Sequence, residues 1–437
     1  FEEPLGRAFL IQPNGFQSFP MGPMINLLLY FGYSWFSLDF PSILLLIMVS
    51  DGKFKHIESD RIHKLGLFGL RLVYIPITKT LRSSQILSSE DQERFSKFKI
   101  EQKKREFLTA RIALNKIDKD FSQKISYHGK RPFLKGEVDH ISLSHSMQHA
   151  VAAWHPTLPI GVDIESDRVK LKMISKKFLT PREINKIESS PNPKLARRIA
   201  WGAKESIFKA ADQKGLSFLE DIRLKFIATS NEGKGVANIS DGRQYVVYWS
   251  LIQNSKGDDQ ALVWAVEKPR SLKIVLTGPE SSGKTALAHL LSKYFKVPFV
   301  PEYAREYLNK KNTKYNLSDL VKINDVQAKL QEETKGEIVF WDTDIITIII
   351  WAKEKFGASN EIFEKSLKEN VPHFYLLCNP DLEWEKDNLR ENPNDRYRLL
   401  KEYQSILIKR RVPYAHIQGK GEIRLKNAIE SIQSQVF

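Results

Sequence analysis

The chain has 437 residues, with 67 Lys+Arg against 52 Asp+Glu for a formal net charge of +15, and 42% of its residues are hydrophobic. That length holds two or three domains with cores of their own, and the composition excludes a disordered, collagen-like or low-complexity chain. The single cysteine, Cys378, excludes an internal disulfide and a thiolate zinc site.

Charge is uneven along the chain. From Ser271 onward there are 26 Lys+Arg and 23 Asp+Glu, which leaves 41 and 29, a net of +12, in the first 270 residues. An excess of that size serves general solubility or meets something acidic, and charge alone does not choose between them.

The first element in chain order is apolar. Between Arg7 and Asp51 the only charged residue is Asp39, and Met24–Val49 is long enough to cross a bilayer. Asp39 and Pro41 interrupt its middle. A central Asp costs about 3 kcal/mol on an insertion scale, while each Leu, Ile or Phe returns about 0.3–0.6. Residues 1–64 are therefore read as an N-terminal extension that is non-native or mis-assigned, with Met48 a candidate start and membrane association the alternative. No comparable apolar run follows, and the expected location is cytoplasmic.

A strand is expected at Leu67–Ile77 and a charged helix over Ser89–Asp118. A turn-rich loop at Tyr127–Leu134 and three strands follow: Ile141–Ser144, Val151–Trp154 and Ile160–Glu165. Helices are expected at Lys172–Phe178, Pro181–Ser189 and Pro193–Ala211. Strands return at Ile222–Ile227, Tyr245–Ile252 and Gln260–Val266. This succession reads as an α+β domain over residues 65–268. After the short hinge Lys268–Arg270, the apolar runs Leu272–Thr277, Phe299–Val300, Ile338–Trp341, Phe374–Cys378 and Tyr414–Ile417 alternate with helical stretches. That pattern predicts an α/β domain with a mostly parallel sheet over residues 271–437.

Three groups of residues in the first domain bear on chemistry. On a strand, Asp163 and Glu165 project from one face about 7 Å apart, a spacing suited to a hard divalent cation, though such a pair on its own more often marks a solvated strand face. On a helix, Trp201, Glu205 and Lys209 form a single stripe. Ser142-Leu143-Ser144-His145-Ser146 offers hydroxyls and an imidazole to a phosphate, or simply a turn.

Taken in order, this serine–histidine cluster, Gly161-Val162-Asp163-Ile164-Glu165 and Trp201-Gly202-Ala203-Lys204-Glu205-Ser206-Ile207-Phe208-Lys209 resemble the motifs of the Sfp-type 4′-phosphopantetheinyl transferases. Gly129-Lys130-Arg131-Pro132-Phe133-Leu134 and Phe178–Glu183 resemble two further segments of that family. The resemblance implies a pseudo-symmetric fold and transfer of the phosphopantetheine arm of coenzyme A to a serine of an acyl or peptidyl carrier protein. It implies that Asp163, Glu165 and Glu205 hold Mg²⁺ against the pyrophosphate. Lys209 would assist departure of 3′,5′-ADP, and Glu205, or a water on the metal, is the candidate base. Ser144 and His145 would contact coenzyme A phosphates, and Lys130 or Arg131 the 3′-phosphate. Lys103, Lys104, Arg105 and Arg111 are candidates for added contacts. Two departures stand out: Arg131 separates Lys130 from Pro132, and Leu143 replaces an aromatic residue.

In the second domain, Gly278-Pro279-Glu280-Ser281-Ser282-Gly283-Lys284-Thr285 follows an apolar strand and precedes a helical run, the context a P-loop requires. Its backbone N–H groups cradle phosphates, Lys284 reaches the β/γ-phosphates and Thr285 ligates Mg²⁺. Asp342, at the end of an expected strand, is the second Mg²⁺ ligand or a helix cap. Together with Pro301–Tyr307 and Trp341-Asp342-Thr343-Asp344, this loop resembles the ribosylnicotinamide kinase-like domain of NadR-type proteins. The resemblance implies ATP as ligand, a nucleoside acceptor near Glu302 and Arg305, and lid arginines at Arg390 and Arg396. It leaves a regulatory ATPase open as well.

The expected protein is thus an Mg²⁺-dependent phosphopantetheinyl transferase followed by a P-loop kinase-like domain. Its expected partners are coenzyme A, ATP and an acidic carrier protein, which gives the +12 a use. In the alternative, only the P-loop domain turns over and the first domain is a carrier-protein-binding module. Nucleic acid is not expected, because no basic motif interleaved with aromatics stands out.

Overall fold

The computed structural model describes residues 7–12, 15–20, 47–50, 53–56, 69–78, 84–137, 139–166, 170–253, 259–311, 314–358, 360–369, 371–386 and 394–436. The chain divides into two units, Phe1–Pro41 and Ser42–Phe437. In the first, β1 (Arg7–Gln12) and β2 (Gly15–Pro20) form an antiparallel hairpin. The apolar stretch Met24–Val49 lies outside the described residues up to position 46. Among the described residues no helix is long and apolar enough to cross a membrane.

The larger unit begins with β3 (Ile47–Ser50), β4 (Lys53–His56) and β5 (Arg71–Pro76), followed by α1 (Ser89–Ser96) and α2 (Glu101–Ile117). The single helix expected from Ser89 breaks because Ile100 is extended (φ −99°, ψ 120°). The break folds Phe95 and Phe98 onto the ring of Phe107, with centroids at 6.1 and 5.2 Å. Where a loop was expected, β6 (Ile125–His128) and β7 (Arg131–Leu134) form a hairpin. Gly129 supplies the positive φ (63°) that a two-residue turn demands. With β8 (His140–His145) and β9 (His149–His155), the first sheet has the order β4-β3-β5-β9-β8. The helix α2 covers one face through Leu114 and Ile117, which pack with Val73, Ala152 and Trp154.

The second sheet starts at β10 (Ile160–Ser166). Three helices follow, α3 (Lys170–Met173), α4 (Pro181–Glu188) and α5 (Pro193–Ala211), then β11 (Arg223–Leu224), β12 (Glu232–Asn238), β13 (Gln244–Gln253) and β14 (Asp259–Lys268). Its order is β10-β14-β13-β12-β11, antiparallel throughout. β12 was not expected from sequence, for a physical reason. A Cβ added at Gly233 or Gly235 would lie 2.5 Å from the Trp249 ring or 2.2 Å from that of Phe226. The strand's apolar cover therefore comes from rings on its neighbours, and its own residues show no apolar alternation.

The P-loop domain alternates as expected. It runs β15 (Leu272–Thr277), α6 (Lys284–Phe295), β16 (Phe299–Val300), α7 (Tyr303–Lys310), α8 (Leu317–Glu333), β17 (Ile338–Asp342), α9 (Ile345–Phe356), α10 (Glu364–Glu369), β18 (Phe374–Cys378), α11 (Arg396–Lys409), β19 (Tyr414–Ile417) and α12 (Gly421–Val436). The sheet is parallel, with order β16-β17-β15-β18-β19, and its central strands β17, β15 and β18 are buried on both faces. The two domains meet at Arg411, whose Nε donates to Asp118 Oδ2 at 2.8 Å and whose Nη1 lies 3.8 Å from Glu137 and Asp139.

Candidate functional site

β10 alternates as its sequence requires. Ile160, Val162 and Ile164 pack into one apolar cluster, and Asp163 and Glu165 share the opposite face. That face is not solvated: Asp163 is 5% and Glu165 6% exposed. Burial follows from two glycines. A Cβ at Gly161 would lie 1.8 Å from the Ser206 carbonyl oxygen, and one at Gly202 would lie 2.8 Å from Val263 Cγ2. Only glycine at both positions lets α5 descend onto β10 and β14, where Ser206 Oγ donates to the Val263 carbonyl at 3.0 Å.

The descent brings the helical stripe to the carboxylates. Lys209 Nζ donates to Asp163 Oδ1 (2.9 Å), to the Val162 carbonyl (2.9 Å) and to Ser144 Oγ (3.2 Å), while Ser144 Oγ donates to Asp163 Oδ1 at 2.8 Å. Trp201 Nε1 donates to Glu165 Oε1 at 3.3 Å. Glu205 is half-buried on the same stripe. The other lysine of this motif points away: Lys204 is fully buried and donates to Glu183 Oε2 (3.1 Å) and to the Phe218 and Ile222 carbonyls (both 2.9 Å). Burial lowers its pKa, and Glu183 opposes that shift. One motif thus supplies a structural lysine and a lysine at the carboxylates.

The serine–histidine cluster ends a strand at His145 and opens the turn after it at Ser146, whose Oγ accepts from the Gln148 and His149 N–H groups. Ser142 Oγ accepts from the Val162 N–H at 3.0 Å, so Ser142 and Ser144 both face β10 and stitch the edges of the two sheets together. His145 faces the other way, with Nδ1 3.3 Å from Glu106 Oε2. Burial lowers its pKa, and Glu106 opposes. Lys130 is exposed, whereas Arg131 pairs with Asp212 at 2.5 Å. Arg111 is committed elsewhere: it is buried, and its Nε and Nη2 donate to the two oxygens of Asp91 at 2.8 and 3.0 Å. Lys103 and Lys104 pair with Glu106 and Glu101 on their own helix.

Sequence reasoning missed Gln260. Fully buried, its Nε2 donates to Ser146 Oγ (2.8 Å) and Ser166 Oγ (2.7 Å), and its Oε1 lies 2.5 Å from His149 Nδ1. It braces the turn after β8 against the end of β10. A lone glutamine at the start of a strand gives no signal of this.

Among the described residues no three His, Cys, Asp or Glu side chains meet as a metal-binding group. What the site offers a divalent cation is Asp163 Oδ2, buried and without a hydrogen-bond partner, beside an oxygen already bonded to Lys209. An orphaned buried carboxylate oxygen fits such an ion.

In the P-loop domain, Gly278 adopts φ 130°, and a Cβ there would lie 2.5 Å from the Cys378 carbonyl oxygen. Gly283 precedes α6 at φ 74°. Lys284 Nζ donates to the Gly278 and Pro279 carbonyls, both at 2.8 Å. Asp342 is fully buried, and neither carboxylate oxygen has a hydrogen-bond partner. Burial pushes its carboxyl up. The Thr285 hydroxyl offsets part of the rise without a hydrogen bond of good geometry, and Lys284 adds to the offset. The helix cap is Asp344, whose Oδ1 accepts from the Ile346 N–H at 3.1 Å. Asp342 is therefore not the cap, and its two unpartnered oxygens, with the Thr285 hydroxyl, make a donor set that fits a hard divalent cation.

A cavity of about 530 Å³ opens over the loop, lined among others by Lys284, Thr285, Glu302, Arg305, Trp351 and Tyr403. Arg396 Nη1 donates to the Ser281 and Leu382 carbonyls at 3.3 and 3.0 Å, so it rests on the P-loop backbone. Arg390 lies outside the described residues. Arg424, which no motif flagged, is buried beneath the loop and donates to the Ser282 carbonyl at 2.6 Å.

Residues 159–266 match the family model of the 4′-phosphopantetheinyl transferase superfamily, and residues 273–424 match that of the AAA domain. No curated protein matches the chain. Among solved structures, a NadR protein in complex with NR is similar, at 22% identity over 38% of this chain and 52% of that one, TM-score 0.33. Thymidylate kinase from Ehrlichia chaffeensis is similar at 20% identity over 38% of this chain and 100% of that one, TM-score 0.28. The chain spans about half the length of the NadR protein it matches.

Proposed function

We propose that residues 65–268, read as two pseudo-symmetric halves, transfer 4′-phosphopantetheine from coenzyme A to a serine of an acidic acyl or peptidyl carrier protein. The observation that carries this reading is the cluster of Lys209, Asp163 and Ser144 at the junction of the two sheets, with Lys209 and Asp163 inside the segment that matches the transferase superfamily. Asp163, Glu165 and Glu205 would hold Mg²⁺, which when bound neutralises pyrophosphate charge. Glu205, or a water on the bound metal, would accept the proton of the attacking serine. Lys209 stabilises the leaving phosphate of 3′,5′-ADP as the P–O bond breaks, and its three acceptors hold the ammonium in position beforehand. Ser144, His145, Lys130 and Arg131 bind the phosphates of coenzyme A. Incubation with coenzyme A, Mg²⁺ and several apo carrier proteins should add the phosphopantetheine mass to a carrier. No gain on any carrier would remove this reading.

For residues 271–437 we propose ATP binding at Gly278, Ser282, Gly283, Lys284 and Thr285, and phosphoryl transfer to a nucleoside at the side lined by Glu302 and Arg305. Thr285 and Asp342 would hold Mg²⁺, and Arg396 with Arg390 would act from the lid side. The motif resemblance to NadR-type proteins makes nicotinamide riboside the first acceptor to test. Its phosphorylation, assayed beside bare ATP hydrolysis, separates a kinase from a regulatory ATPase.

A further inference from the structure

We propose that Arg424 is the positioning residue that holds the P-loop in its phosphate-binding shape, an inference that rests on the nucleotide-binding reading of this domain. A phosphate cradle needs its N–H groups turned inward, which turns carbonyls of the loop outward, where each needs a donor. Lys284 takes those of Gly278 and Pro279, and Arg396 takes that of Ser281. Neither is a fixed support. Lys284 is the residue that turns to phosphate in a P-loop, and Arg396 is only half-buried.

Arg424 differs. It is 4% exposed, and its fork is locked on several acceptors at once. Its Nη2 donates to the Ser282 carbonyl at 2.6 Å and to the Asn379 carbonyl at 2.9 Å, and Nη1 donates to Asp381 Oδ1 at 2.7 Å and to the Gly419 carbonyl at 2.8 Å. The guanidinium therefore ties the P-loop to the segment after β18 and to the one after β19. The segment after β18 carries Leu382, Glu383 and Glu385, which line the cavity. Contact between these parts is close: a Cβ at Gly283 would lie 2.7 Å from Leu382 Cδ1 and 3.7 Å from Arg424 Nε. A planar fork can meet these acceptors together, whereas a lysine ammonium on a flexible stem cannot.

The test compares wild type, R424Q and R424K in the full chain. ATP affinity with Mg²⁺ is measured well below each unfolding midpoint, and hydrogen exchange is followed in the ligand-free protein. R424Q is expected to bind ATP about tenfold or more weakly, with faster exchange in the P-loop and in the segments after β18 and β19 that Arg424 ties to it, and β15 unchanged. Unchanged ATP affinity, or exchange that rises equally throughout the domain, would overturn the proposal. Should R424Q not fold, R424K decides: an intermediate loss of affinity supports the fork, and wild-type affinity overturns it. If wild type itself bound no ATP, the nucleotide-binding reading would fall and this one with it, whereas wild-type binding unaffected by R424Q removes this one alone.

Discussion

The two candidate sites treat a buried carboxylate in opposite ways. Asp163 has its countercharge built in, because Lys209 and Ser144 both donate to one of its oxygens. Asp342 has no such close partner among the described residues: both oxygens are buried without a hydrogen-bond partner, and Lys284, which offsets its burial from a distance, is turned to the loop carbonyls. A paired buried charge costs little until its partner is removed, while a bare one is a standing cost that a cation relieves. On the functions proposed above, the first site would be assembled before ligand arrives and the second completed by it.

The strongest test of this contrast is independence. Asp163→Ala should lower carrier modification by at least about 10³ while leaving ATP hydrolysis unchanged, and Lys284→Ala should do the reverse. A single substitution that abolished both activities in a folded protein would break the two-site picture. Next in size, Lys209→Ala should cost about 10² in transfer rate. It should also lower stability by about 1–3 kcal/mol, since Asp163 then stays buried without its cation.

Asp342→Asn sharpens the comparison by its sign. With the bare charge removed, the ligand-free protein should gain about 1–2 kcal/mol, seen as a higher unfolding midpoint, while Mg²⁺–ATP affinity falls. A loss of stability in the ligand-free variant would mean that Asp342 is already compensated.

The smallest effect concerns the seam between the domains. Burial pushes the Asp139 carboxyl up to about 6, with the Trp154 N–H donating to it at 2.9 Å and Arg411 opposing the rise. Against about 3.9 in the unfolded chain, the folded state holds this proton more tightly. Its contribution to stability is therefore full below about pH 4 and declines as pH rises through 6. Asp139→Asn should match wild type near pH 4 and exceed it by about 1 kcal/mol at pH 7. A difference independent of pH would show that the carboxyl is not shifted.

The P-loop domain was the more legible of the two in sequence, because local pattern decides it. Parallel strands buried on both faces read as apolar runs, and the Gly278–Thr285 spacing is fixed by backbone geometry that any such loop shares. The transferase stripe of Trp201, Glu205 and Lys209 was equally readable from helical period. Other features were not. The hairpin at β6–β7 and the glycine-rich β12 owe their stability to turn geometry and to rings from neighbouring segments, so their own residues show no periodic signal. Arg111 was a candidate for an added phosphate contact by its place in a basic cluster, and only the fold brings Asp91 to it.

By itself, then, the sequence determined the two element patterns, the order of the motifs and which side chains share a strand face or a helix stripe, because these follow from periods of two and 3.6 residues. Tertiary structure decided the state of each charge. Whether a carboxylate ends up paired like Asp163, bare like Asp342 or spent on a cap like Asp344 depends on what distant segments bring against it. Gly161 and Gly202 let a helix reach Asp163, Tyr375 OH donates to Asp344 at 2.7 Å, and nothing among the described residues donates to Asp342. Burial and countercharge are properties of the packed chain, and no residue carries them alone.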